Sequence, residues 1–190
     1  SGALNEAQRI ILENYLKTKY GLTLTVNNYF SNGDGFVQDI SGIGQESGTS
    51  QDQGNSAGVY LEQINASFTN GEFAFIAHDG SVNSVSTSAE VTASGAEAAW
   101  AKTWYVRKIS SDGTDVKISF DFRDGFPGGE YPQNPGNYVL LYRAGTSGNF
   151  SQVTVADQGQ EKGDRIYFEV ADTDLNDGYY TIGTLDQSAS

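Results

Sequence analysis

The clearest alternation of apolar and polar positions lies late in the first two thirds of the chain. Val116, Ile118, Phe120 and Phe122 fall on one side of an extended backbone, and Lys117, Ser119, Asp121 and Arg123 on the other. That is the period-2 signature of a half-buried strand. Just upstream stand the β-formers Trp104, Tyr105, Val106 and Ile109, with Arg107 and Lys108 supplying polar surface. Asp112-Gly113 between two such arms is a hairpin signal, so the pattern predicts a hairpin over 104–122, central in a sheet. The same reading predicts strands over 22–30, 36–43, 57–64, 72–78, 137–143, 165–171 and 179–183, with a further candidate at 150–155. In 72–78 both sides are apolar, Phe73 and Phe75 against Ala74 and Ile76, which calls for cover on both faces. Residues 45–56 are polar and aperiodic and read as an exposed loop. Residues 81–99 are small and carry little pattern beyond Val85 and Val91, candidates for weak edge strands. Pro127, Pro132 and Pro135 mark 124–136 as a long loop.

One stretch has the helical period instead. Over residues 4–20, Leu4, Ala7, Ile11 and Tyr15 form a stripe broadened by Leu12 and Leu16, with Glu6, Arg9, Glu13 and Lys17 mostly opposite. Asn5 followed by Gln8 fits a capping box, and Gly21 stands where a glycine ends a helix. So wide a stripe must dock, either on the β-domain that follows or on a domain that precedes it. The fold class expected is all-β: a β-sandwich of about ten short, mainly antiparallel strands with one N-terminal α-helix. Residues 1–21 are expected to form a linker or docking helix, 22–185 the sandwich, and 186–190 a frayed tail.

Composition sharpens this picture. Only 37% of the 190 residues are hydrophobic but 12% are aromatic, so rings of roughly 150–250 Å² each are expected to carry much of the core. The net charge is −13, which repels phosphate backbones and anionic membranes and argues against nucleic-acid partners and membrane insertion. There is no Cys, hence neither disulfide nor thiolate metal site. No apolar run is long enough to span a bilayer. The Ser-Gly start reads as a processing or cloning remnant, which suits a fragment of a longer protein.

Several motifs, in order along the chain, resemble a known family. Leu4-Asn5-Glu6-Ala7-Gln8-Arg9, Glu13-Asn14-Tyr15-Leu16 and Lys19-Tyr20-Gly21-Leu22 are similar to its linker helix. Asp39-Ile40-Ser41-Gly42-Ile43-Gly44-Gln45-Glu46, Trp104-Tyr105-Val106, Tyr138-Val139-Leu140-Leu141, Gly148-Asn149-Phe150-Ser151 and Asp177-Gly178-Tyr179-Tyr180-Thr181-Ile182-Gly183 resemble its later motifs. Lys102 or Thr103 stands where that family often has Arg. The family is a Bacteroidetes-type domain of unknown function that follows a concanavalin/laminin-G-like lectin domain in large secreted or cell-surface, adhesin-like proteins. The resemblance implies an exported context beside sugar-binding domains, and brings no catalytic residues.

The residues themselves offer few sites. His78 is the sole histidine, whereas triads and zinc sites need a histidine with partners. Asp79 beside it points to the other face of a strand. Glu72, Glu130 and Glu169 are conceivable members of a glycosidase pair, but with 24 acidic residues some pair always qualifies. Asp172-Thr173-Asp174-Leu175-Asn176-Asp177-Gly178 offers oxygens at alternating positions, as a Ca²⁺ loop does, yet lacks a twelfth-position Glu and a following helix. Asp172, Asp174, Asn176 and Asp177 are therefore either a turn or a calcium site, with Asn32-Gly33-Asp34-Gly35 and Asp39 as a second candidate. Trp100 and Tyr131 are candidate stacking surfaces for sugar rings, with burial in the core the competing reading for Trp100. The function expected is a non-catalytic structural or adhesion module, secreted or at the cell surface, with neighbouring domains of the same polypeptide as partners. The alternative is a carbohydrate-binding module, Ca-assisted or not, recognising glycans; a hydrolase ranks third. An exposed aromatic row would favour glycan binding, smooth polar faces a spacer.

Overall fold

The computed structural model describes residues 2–31, 34–109, 113, 115–126, 132 and 134–189. Helix α1 (Glu6–Tyr20) opens the chain. Asn5 caps it, its side chain accepting from the Gln8 amide while the Gln8 side chain accepts from the Asn5 amide. Gly21 ends it in the left-handed region at φ 64°. Ala7, Ile10 and Asn14 form its buried line, whereas Leu4 and Leu12 are 56% and 40% exposed. The docked face is thus rotated from the predicted stripe. Ile10, Ile11 and Leu12 are consecutive and apolar, so the period alone leaves the angle open. Asn14 settles it by finding partners inside.

Fourteen strands follow among the described residues, all paired antiparallel: β1 (Gln38–Glu46), β2 (Thr49–Gln51), β3 (Gln53–Ser56), β4 (Val59–Gln63), β5 (Glu72–His78), β6 (Val85–Ser86), β7 (Ala98–Trp100), β8 (Trp104–Ile109), β9 (Val116–Asp121), β10 (Tyr138–Arg143), β11 (Ser151–Gln152), β12 (Asp157–Glu161), β13 (Arg165–Val170) and β14 (Gly178–Thr184). Short helices α2 (Ala89–Thr92) and α3 (Phe122–Gly125) interrupt them. One sheet runs β11-β10-β14-β8-β5-β1-β2, with β7 beside β14 and β6 beside β7; the other runs β12-β13-β9-β4-β3. The fold is an all-β, sandwich-like one.

The predicted central hairpin is not one. β8 pairs with β5 and β14 in the first sheet, and β9 with β4 and β13 in the second. Each arm is central, but in a different layer. The turn residues 110–112 lie outside the described residues. A hairpin and a crossover put the same apolar alternation on their arms, because both arms face one core.

Three other expectations change. Residues 22–30 form no strand; with 34–37 they lie over the outer face of the first sheet, where Phe30 and Phe36 are buried. The stretch 45–56, expected as a loop, holds the end of β1 with β2 and β3. Only Asp52 separates β2 from β3, so the chain passes directly from one sheet to the other. The glycines permit this. A Cβ on Gly54 would stand 2.8 Å from the Gly42 carbonyl oxygen, so the two sheets touch there backbone to backbone. Val91 lies in α2 rather than in a strand.

Between the sheets lie Ile43, Leu61, Ile76, Trp104, Val106, Ile118, Phe120, Phe168 and Ile182, all essentially inaccessible. The outer face of the first sheet is covered twice. Ala7, Ile10 and Phe30 pack on Phe73, Phe75 and Ala77, so β5 has the double cover its composition calls for. Val91, Ala96 and Phe150 pack on Ala99 and Leu141. Each such large side chain contributes about 1.5–3 kcal/mol by leaving water. Among the described residues the outer face of the second sheet carries no such layer. Among the described residues no helix is long and apolar enough to cross a membrane.

Candidate functional site

Trp100 is not a surface ring. It is 6% exposed and surrounded by Phe122 (4.9 Å between centroids), Phe120 and Phe126 (5.7 Å each) and Trp104 (6.1 Å). Gly125 makes room for it, since a Cβ there would stand 2.7 Å from its Cζ3. Trp100 ends β7, which is laid beside β14. The other proposed stacking residue, Tyr131, lies outside the described residues, as does Glu130.

The Asp-rich turn is turned onto the protein's own cations. Lys108 Nζ donates to Asp172 Oδ1 and to its carbonyl (2.9 Å each). The Lys108 amide donates to Asp177 Oδ1 (2.7 Å), and Arg107 lies 3.4 Å from Asp177 Oδ2. Asn176 donates its side-chain Nδ2 to the Asp174 carbonyl (3.2 Å). Among the described residues no group of three or more His, Asp or Glu is arranged to hold a metal. In the second candidate, Asp34 accepts the Tyr179 hydroxyl (2.6 Å) and Asp39 pairs with His78; residues 32 and 33 lie outside the described residues.

His78 is buried with both ring nitrogens engaged. The Gly80 amide donates to Nδ1 (2.9 Å), so Nδ1 is the acceptor and Nε2 carries the proton that meets Asp39 Oδ2 (2.9 Å). Its partner is Asp39 across the β1–β5 ladder. Burial lowers the His78 pKa against the opposing bond to Asp39, and the nearby Lys102 charge lowers it further. Lys102 is itself 8% exposed, with its ammonium 5.2 Å from the Trp104 ring centroid, and burial lowers its pKa too.

A groove of about 640 Å³ runs between α1, β1 and β3. Leu4, Ile11, Leu12 and Tyr15 form its helical wall, and Asp39, Ser41 and Asn55 supply polar atoms.

The outer face of the second sheet is more orderly. Register places Asn55, Tyr60, Ser119, Tyr167 and Gly159 in one row across β3, β4, β9, β13 and β12. The adjacent row is Gln53, Glu62, Lys117, Glu169 and Asp157; on the other side lie Asp121, Arg165 and Glu161. Lys117 Nζ reaches Glu62 (2.7 Å) and Glu161 (3.0 Å). Burial would lower the Lys117 pKa, but these two bonds outweigh it and hold the group above its ordinary value. Arg165 pairs with Asp121 (2.8 Å) and stacks its guanidinium 3.6 Å from the Tyr60 ring centroid. Tyr167 lies over Gly159, whose Cβ, were there one, would stand 2.8 Å from Cε1 and from the hydroxyl oxygen. That hydroxyl bonds Asp157 Oδ2 (3.1 Å), which raises its pKa. Ser119, between the two tyrosines, is fully covered. The solvent side of β4, β9 and β13 was visible in the alternation, but their order was not. Compared with protein-family models, with curated proteins and with solved structures, the chain shows no match to any of them.

Proposed function

We propose that this chain is a non-catalytic structural and adhesion module of a large exported surface protein, set among neighbouring binding domains. The observation that carries this reading is the fastening of α1 to the sheet. Asn5 donates to the Ser50 carbonyl (2.9 Å) and Gln8 to Gln51 (3.0 Å), while Asn14 holds the chain that returns over the sheet. A chain entering through α1 is thereby tied to β2 and the covered face rather than hanging on a loose linker. The edges support the same reading. In the first sheet the edge strand β11 has two residues and β2 has three, and β2 runs straight into β3, so that sheet offers little open edge for stray pairing with crowded neighbours. The acidic surface keeps such a module soluble. The test is surface labelling: an antibody to this domain, and protease added from outside, are applied to intact cells that produce the protein. Labelling and cleavage on intact cells are expected. Labelling only after permeabilisation overturns the proposal.

A further inference from the structure

We infer that the outer face of the second sheet, centred on Tyr167 and Tyr60, binds neutral oligosaccharides built of pyranose rings. This goes beyond the structural role, which stands without it. A pyranose has an apolar C–H face and a rim of hydroxyls; its match is a flat aromatic surface bordered by fixed donors and acceptors. Tyr167 provides the flat surface. Gly159 has no side chain, so the ring lies on the β12 backbone instead of standing away from it, the arrangement by which an aromatic covers a strand glycine. Tyr60, two strands away across Ser119, is held by the Arg165 guanidinium. At one strand spacing of about 4.8 Å the two tyrosines are roughly 10 Å apart along the row, so a ligand of at least two sugar rings is needed to reach both.

The rim is already ordered. Lys117 fixes Glu62 and Glu161, and Asp157 is fixed by the Tyr167 hydroxyl. Carboxylates held in this way accept sugar hydroxyls without first being immobilised. Charge selects the ligand class. Five carboxylates (Glu62, Asp121, Asp157, Glu161, Glu169) face two cations (Lys117, Arg165) on this surface, within a chain of net charge −13. Sulfated or uronic glycans are repelled, and neutral ones are not.

The experiment screens the unaltered protein against neutral and anionic oligosaccharides, then titrates a neutral hit while following backbone amide NMR shifts. Tyr167→Ala and Gly159→Val are titrated in parallel, the second displacing the ring without removing it. The expected result is binding of a neutral glycan, shifts concentrated in β4, β9, β12 and β13, and about tenfold or greater weakening in both variants, the loss of one stacking contact worth about 1.4 kcal/mol. Shift mapping on the unaltered chain reads the site even where a variant fails to fold. No neutral glycan bound at millimolar concentration, preference for anionic glycans, or shifts confined to another face such as the α1 groove each overturns the inference.

Discussion

Asn14 is the side chain whose replacement tests the docking of α1 most directly. It is fully buried and uses all of its hydrogen-bonding capacity. Its Nδ2 donates to the Ile10 carbonyl (2.9 Å) and the Asn27 carbonyl (2.8 Å); its Oδ1 accepts from the amides of Tyr29 (2.9 Å) and Phe30 (2.8 Å). Asn14→Leu keeps the volume and removes every bond. Some partners have substitutes, since the Tyr29 amide also donates to the Asn27 carbonyl (3.0 Å). The Phe30 amide has none of that kind in the turn and is left bare inside. One orphaned buried amide costs about 1–3 kcal/mol and each of the three other lost bonds about 1 kcal/mol net, an upper sum of about 4–6 kcal/mol that the substitute bonds reduce, so a destabilisation of about 3 kcal/mol is expected. In a chain of this size that is a fall in Tm of roughly 6–12 °C. Urea unfolding with an unchanged slope, read beside a calorimetric melt, measures it. Asn14→Asp separates polarity from packing. It keeps the acceptor for Tyr29 and Phe30 but faces the Ile10 and Asn27 carbonyls with a carboxylate. Its pKa in the folded protein is then raised above the unfolded value near 3.9, so the charge-related part of its deficit is full above the folded pKa, shrinks as pH falls through that pKa and is gone below about 4, while the Leu deficit does not change. A loss under about 1 kcal/mol for Asn14→Leu, or the same pH response in both variants, refutes the reasoning.

Two further outcomes follow from the same geometry. The lowered pKa of His78 means the unfolded chain takes up that proton first, so this contribution to stability is complete above the unfolded value of 6.5 and declines as pH drops below it. His78→Gln is expected to flatten the slope of unfolding free energy between pH 7 and 5, and an identical slope in variant and parent counts against the buried neutral imidazole. For the Asp-rich turn, Lys108 and Arg107 already occupy the carboxylates of Asp172 and Asp177. Millimolar Ca²⁺ against EDTA is therefore expected to leave Tm within about 1 °C, whereas a native-state ligand at a hundredfold excess over Kd adds about 2.7 kcal/mol; a shift of roughly 5–10 °C would reinstate the metal site.

Features decided within a few residues were legible in the sequence, and features decided by distant partners were not. The capping box of Asn5 and Gln8 and the αL stop at Gly21 are local chemistry, and the sequence displays them directly. The alternation in β9 likewise told which residues face out: Lys117, Ser119 and Asp121 were all on the polar side. What alternation does not encode is which strand lies next to which. Tyr60 and Tyr167 are 107 positions apart and share a row only because β9 stands between β4 and β13. For the same reason Trp104–Ile109 and Val116–Asp121 passed for a hairpin. Aperiodicity misled in the opposite direction at 45–56. Gly54 and Ser56 point inward there without being apolar, because the space at that corner is filled by the backbone of Gly42, and a hydrophobic pattern has nothing to report where no side chain fits. The same logic reassigns the aromatic residues. Trp100 looked available because its neighbours are small, yet small neighbours are what let a large ring enter a core, as Gly125 does for it. Tyr167 looked like one more strand residue, yet Gly159 opposite it gives the ring a place to lie on the surface. A glycine across from an aromatic residue is thus equally compatible with burial and with display, and the layer in which the strand lies decides between them.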